Sequence, residues 1–177
     1  WYTFLTWLPV YLVQARGFSL QEMGIYATFP YLAMLVFGNG SAWIADGMIQ
    51  RGTSTTFVRK FWQTIAFVGA ALFLYLLSLT ASPAFAVLYI TLGLGFLACF
   101  SPGMGINHLD IGPKYAGALV GMTNTAATIP GILAPIITGF IVKCGGDWNM
   151  VFYVAIGVML VGALIFDLFA TGEKRFE

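Results

Sequence analysis

Charged residues punctuate this chain and leave long apolar stretches between them. No Asp, Glu, Lys or Arg occurs in residues 1–15, 23–45, 61–109, 115–142 or 148–166. A helix crossing the ~30 Å hydrocarbon core of a bilayer needs about 20 apolar residues, and four of these windows are long enough. The longest, 61–109, is divided by Ser82-Pro83, where a proline after a short polar break suits a turn and the start of a new helix. The pattern predicts six membrane-spanning helices, at about 1–13, 24–45, 61–81, 84–107, 115–142 and 149–169. No window alternates with period two, and an open sheet edge would find no partner in lipid. The fold class is therefore an all-α membrane protein, one unit over 1–177. The short first span opens Trp-Tyr-Thr-Phe with neither Met nor a basic leader, which reads as the interior of a helix and not as a signal peptide.

Composition removes the soluble reading. Charged residues make up 8% and hydrophobic residues 59% of 177, with a mean hydropathy of +0.87; soluble domains run near a quarter charged. A soluble helical core would need a polar face on most helices, and none is present. A net charge of +1 gives no basic surface for nucleic acid. Cys99 lies inside an apolar run and Cys144 just outside another, so a bridge between them is not expected.

Basic residues set the orientation, since cytoplasmic loops carry the excess of Lys and Arg. Arg51, Arg59, Lys60, Lys114, Lys174 and Arg175 fall on one side, and Arg16 and Lys143 on the other. The 45–60 loop and the C-terminal tail are thus expected in the cytosol, and a reporter at Thr53 should face opposite to one at Gly146.

Candidate chemistry concentrates in the fifth span. Thr123, Asn124, Thr125 and Thr128 form a polar centre between glycines and the prolines Pro130 and Pro135. Gly117-x-x-x-Gly121 and Gly131-x-x-x-Pro135-x-x-x-Gly139 place small residues at one-turn spacing, where a neighbouring helix can approach closely. Asn124 and Thr128 share a face; a cavity-lining role is favoured for Asn124 over an interhelical hydrogen bond. In the first span Tyr2 and Thr6 share a face, read equally as an interfacial belt or as substrate contacts. Tyr31 and Asn39 in the second span read as packing residues. Asp46, Arg51, Arg59 and Lys60 read as a charge latch on the cytosolic side, in preference to mere topology anchors, with Asp46 free to pair with Arg51 or Arg59.

Asn107-His108-Leu109-Asp110 holds the one histidine. His108 and Asp110 read first as a hydrogen-bonded helix-end cluster and second as a proton-handling pair. No second His or Glu accompanies them, and no His-Glu-x-x-His, Gly-x-Ser-x-Gly, P-loop or Cys-x-x-Cys occurs. An enzyme, a metal site and a cofactor are accordingly not expected.

Several blocks go further than composition: Tyr-Thr-Phe-Leu-Thr-Trp-Leu-Pro-Val-Tyr (2–11), Arg-Gly-Thr-Ser-Thr-Thr-Phe-Val-Arg-Lys (51–60), Asn-His-Leu-Asp-Ile-Gly-Pro-Lys-Tyr-Ala-Gly (107–117), Gly-Met-Thr-Asn-Thr-Ala-Ala-Thr-Ile-Pro-Gly (121–131) and the Phe-Ala-Thr-Gly-Glu-Lys ending. Together they resemble the anion transporter family of the major facilitator superfamily, which includes sialin and the vesicular glutamate, sodium–phosphate, and plant plastid phosphate and ascorbate transporters. The resemblance implies a fold of twelve helices in two halves, with the site between them, this chain supplying the C-terminal six-helix half. It implies that Tyr2, Thr123 and Asn124 face the anion, with Thr6 and Thr128 beside them, and that Asp46, Arg51, Arg59 and Lys60 match a cytosolic signature. Implied partners are a small anion (inorganic phosphate, ascorbate, glutamate or sialate), a co-transported Na⁺ or H⁺, the N-terminal six-helix half and the lipid bilayer. The implied membrane is the plastid envelope or thylakoid, with vesicular, lysosomal or plasma membranes as alternatives. A sugar or drug carrier of the same superfamily, or a multi-pass protein that is not a transporter, is the rival reading.

Overall fold

The computed structural model describes residues 1–145 and 147–176; Gly146, the reporter position in the fifth loop, lies outside the described residues. Helix is the only regular structure among them. The elements are α1 (Tyr2–Val10), continued by a π-helical turn (Tyr11–Ala15), α2 (Leu20–Tyr26), α3 (Thr28–Gln50), α4 (Thr55–Leu79) and α5 (Pro83–Ala98). After a π-helical turn (Ser101–Gly105) come α6 (Ile106–Ile111), a 3₁₀ turn (Pro113–Tyr115), α7 (Ala116–Lys143) and α8 (Trp148–Phe169). They make six helical passes. Five stretches are long and apolar enough to cross a membrane: Leu20–Gln50, Thr55–Leu79, Pro83–Ile111, Pro113–Lys143 and Trp148–Phe169. α1 with its π-helical turn is helical but shorter.

Local chemistry explains where these helices begin. Ser19 and Glu22 form a capping box at α2: Ser19 Oγ accepts from the Glu22 amide at 3.2 Å, and the Glu22 carboxylate accepts from the Ser19 amide at 3.0 Å. Two otherwise orphaned donors are satisfied. α4 starts six residues before the apolar window it carries, because Gly52 (φ +91°) turns the chain and Ser54 Oγ accepts from the Phe57 amide at 3.3 Å. Charge-free windows mark the hydrocarbon layer; caps mark the helix ends, so the helices overrun the windows. Pro83 opens α5. The fourth pass departs from the uninterrupted 84–107 span: it breaks after Ala98, and inside the break Gly103 leaves helical geometry (φ −86°, ψ −107°).

α4 is the central helix, packing on α5 and α8, while α3 packs on α5 and α1 on α7. One apolar cluster joins Leu8, Tyr11 and Leu12 to Leu74, Leu77, Ile90 and Phe152; a second, near the other end of α4, joins Ala45, Val58, Trp62, Ala66 and Cys99. Arg16 closes the first cluster. Its guanidinium donates to Thr80 O at 2.7 Å, to Leu77 O at 3.3 Å and to Tyr11 Oη at 2.7 Å, so a cation covers the unsatisfied carbonyls at the end of α4. α7 is different. Only Ala116 and Thr138 are buried along it. Cys99 is buried and Cys144 exposed, and both are free.

Candidate functional site

The glycine–proline face of α7 holds α1. A methyl group on Gly131 would come within 2.8 Å of the Tyr2 ring, and one on Gly139 within 3.1 Å of the Trp7 ring. Trp7 Nε1 donates to Pro135 O at 3.2 Å. Gly131, Pro135 and Gly139 thus form the close-approach surface that their spacing predicts. Gly117 and Gly121 do not: both look into open space within this chain. Pro130 and Pro135 bring no N–H to the carbonyls of Ala126 and Gly131, one turn earlier, which adds acceptors to the middle of the helix.

On the same helix, every residue from Met122 to Pro130 is exposed. The threonine hydroxyls return to their own helix: Thr125 donates to Gly121 O at 2.8 Å and Thr128 to Asn124 O at 3.0 Å. The Asn124 side chain has no hydrogen bond among the described residues, so no interhelical bond occupies it here. Asn124, Thr128 and Gly131 follow one another at four- and three-residue spacing, hence on one face, and Tyr2 sits on the last of them. Tyr2 is 42% exposed and Thr6, one turn along, is exposed too. The structure therefore seats Tyr2 on Gly131, about one turn from Thr128 on the α7 face that also carries Asn124.

Thr123 points elsewhere. Its Oγ1 lies 3.0 Å from Leu119 O, 3.1 Å from Val120 O and 3.1 Å from His108 Nε2. His108 Nδ1, on the other side of the ring, is buried with no hydrogen-bond partner among the described residues. Beside this contact lies an open cleft of about 690 Å³, whose walls include Ser101, Gly105, His108, Leu109 and Gly117.

Short α6 is a junction, and each polar residue on it reaches a different element. Asp110 takes a two-point salt bridge from Arg59 of α4, Nε to Oδ2 at 2.6 Å and Nη2 to Oδ1 at 3.0 Å. His108 meets α7, and Asn107 Nδ2 donates to Thr171 O beyond α8 at 2.8 Å. Arg59 is 5% exposed, and its Nη1 also donates to Pro102 O at 3.0 Å. One turn along α4, fully buried Gln63 accepts from the Met104 amide at 3.1 Å. Two side chains of α4 thereby satisfy backbone groups freed by the break in the fourth pass.

Within this chain Arg59 pairs with Asp110, not with Asp46. Asp46 is exposed, as is Arg51, and neither they nor Lys60 form an ion pair among the described residues. Tyr31 is 48% exposed, so it is not packed inside this chain, and Asn39 Nδ2 bonds Leu35 O of its own helix at 2.7 Å. Sequence reasoning passed over Gln63, Trp7, Arg16 and Asp167, the last of which accepts from Thr64 Oγ1 at 2.6 Å. Gln63 was the detectable one: a lone amide in the apolar run after Lys60.

The profile of the Major Facilitator Superfamily matches residues 1–135. The chain belongs to that superfamily. Among its relatives, the ascorbate transporter, chloroplastic, of Arabidopsis thaliana is 46% identical over all of this chain and 33% of its own length. The sodium-dependent phosphate transport protein 1, chloroplastic, of the same plant is 44% identical over all of this chain and 35% of its own length. Human sialin is 38% identical over 98% of this chain and 36% of its own length. The chain spans about a third of the length of these relatives. It is a multi-pass membrane protein of that superfamily, whose members, like these relatives, are transporters and not enzymes.

Proposed function

We propose that this chain is the C-terminal six-helix half of a secondary transporter that moves small anions, carboxylates or inorganic phosphate, by alternating access. The observation that carries the proposal is the exposed polar stripe of α7. Asn124 and Thr128 stand at the middle of a long apolar helix, with the Tyr2 ring seated one turn away on Gly131. Polar groups facing hydrocarbon without partners are costly, so this stripe faces a water-filled cavity shared with another set of helices. Transporters of this architecture bind substrate near the bilayer midplane, between halves. Tyr2, Asn124 and Thr128 supply hydrogen bonds and shape there, with Thr6 and Thr123 at the edges, while cationic groups outside this chain neutralise the anion. Exposed Asp46 and Arg51, with half-buried Lys60, lie on the cytosolic side, face the other half and complete the latch when that side closes. A co-transported Na⁺ or H⁺ drives accumulation; the sodium dependence in one relative's name supports Na⁺. The chloroplastic relatives favour a plastid membrane, and sialin a vesicular one.

Uptake into proteoliposomes tests this. In the full-length transporter, Asn124→Ala removes one hydrogen bond to a charged group, a loss of roughly 1.5–3 kcal/mol. KM for phosphate or ascorbate should rise about tenfold or more with expression unchanged. An unaltered KM with every anion tried would remove α7 from the site.

A further inference from the structure

The tail after α8 does more than leave the membrane. It runs back across the cytosolic end of the helices and is tied at four points. Asn107 Nδ2 of α6 donates to Thr171 O at 2.8 Å, and the Gly172 amide donates to Thr56 Oγ1, in the first turn of α4, at 2.8 Å. The Arg175 and Phe176 amides both donate to Ile111 O, the last residue of α6, at 2.7 and 3.0 Å. Gly172 is seated so tightly that a methyl group there would lie 2.7 Å from the Thr56 amide nitrogen and 2.9 Å from the Thr55 carbonyl carbon. Those are backbone atoms and cannot step aside. The Phe176 ring covers Gly112, where a methyl group would come within 3.3 Å of it.

What the tail holds is a short element that meets α4 otherwise through the Arg59–Asp110 pair. α6 is six residues long, with Gly105 at its N-cap and Gly112 at its C-cap. The break over Ser101–Gly105 separates it from α5. A helix so short has almost no intrinsic stability, and its place depends on its outside contacts. We propose that residues 171–176 act as a strap that fixes α6 against α4, and that its release lets α6 swing about the 101–105 break. A simple helix cap would satisfy Ile111 O and stop there. This tail also binds α4 through a glycine seat and α6 through Asn107, so it adds a second tie between two elements that otherwise rely on the Arg59–Asp110 pair across the break. Because α6 carries His108 against Thr123, release would also loosen the cytosolic side of the α7 stripe. That consequence rests on the transport reading; the strap itself does not.

Distance measurement between spin labels in the full-length transporter separates the two. Cysteines replace the exposed Phe57 on α4 and Leu109 on α6, with Cys99 and Cys144 changed to Ala; a label at Lys174 in a parallel sample reports tail mobility. The strapped protein should show one narrow distance and an immobile tail label. Gly172→Ala should free the tail label and add a population longer by about 5 Å, one helical turn. Thr56→Val removes the acceptor without the clash and should do the same to a smaller extent, while Gln50→Ala, at an exposed site outside the tail, should change nothing. A freed tail with the α4–α6 distance unchanged would overturn the strap, and so would an immobile tail in both Gly172→Ala and Thr56→Val. Uptake measured on the same samples stands apart: a distance shift in a protein that takes up no anion would keep the strap and remove the transport reading.

Discussion

The Arg59 guanidinium and Asp110 carboxylate form an ion pair taken largely out of water, at 6% and 16% side-chain exposure. Removing one partner of such a pair leaves a buried charge unmatched, at a cost of roughly 3–5 kcal/mol, whereas replacing both with apolar groups is often neutral. Asp110→Ala should therefore lower thermal stability in detergent by about that amount. Arg59→Met combined with Asp110→Leu should be far milder than the sum of its parts. A double variant as unstable as that sum would mean that the two groups act independently. Asp46→Asn should behave differently, since Asp46 is exposed and makes no ion pair among the described residues: stability stays, and transport rate changes several-fold, in keeping with coupling energies of ~1–3 kcal/mol. The cluster of charge between α3 and α4 was thus readable in the sequence, but the partner that Arg59 takes was not. Arg59 and Asp110 are 51 positions apart, and nothing in local spacing prefers Asp110 over Asp46.

Among the elements, α7 was the most legible, because it depends on its own spacing. Glycine and proline at one-turn intervals announce a face without side chains, and the Tyr2 and Trp7 rings fill it. The same rule misled at Gly117 and Gly121, since a small-residue face shows that a close approach is available and not which helix makes it. The fourth pass was read as unbroken although Ser101-Pro102-Gly103 stands inside it; a window defined by missing charge does not register a break whose freed groups are met by Arg59 and Gln63 from another helix. The seam itself can be tested. Alanine has a helix propensity about 1 kcal/mol better than glycine, so Gly157→Ala on α8, where the added methyl meets nothing within 4 Å, should be neutral or mildly stabilising. Gly131→Ala gains the same propensity but drives a methyl to 2.8 Å from the Tyr2 ring, which must turn away. KM should rise several-fold in Gly131→Ala alone, measured by uptake. Equal KM in both variants would show that the Tyr2 position is immaterial.

At the scale of the molecule, composition and charge windows were enough for an all-helical membrane protein, because the bilayer imposes one length and one solution on every pass. The basic-residue bias also predicts a topology. Native Cys144 is exposed at the end of α7 and Cys99 is buried, so the chain carries its own reporter: an impermeant maleimide should label Cys144 from the side opposite to Thr53→Cys, with Thr53→Cys reached from the cytosol. What composition did not reveal is how unevenly the six passes are covered. α4 is lined by buried residues on its flanks, while α7 is bare along its polar middle and α1 presents Tyr2 and Thr6 outward. A surface left polar in a membrane protein needs a partner, and the expected partner is a matching six-helix half. Residues 1–177 expressed and reconstituted alone should insert, because five passes are long and apolar enough to span, yet show no saturable anion uptake, because the cavity has one wall. Co-expression with a first half from one of the plastid relatives should restore part of the uptake, and Asn124→Ala should weaken what is restored. Full uptake by this chain alone would overturn the two-half arrangement and require copies of the chain to face one another across the α7 stripe.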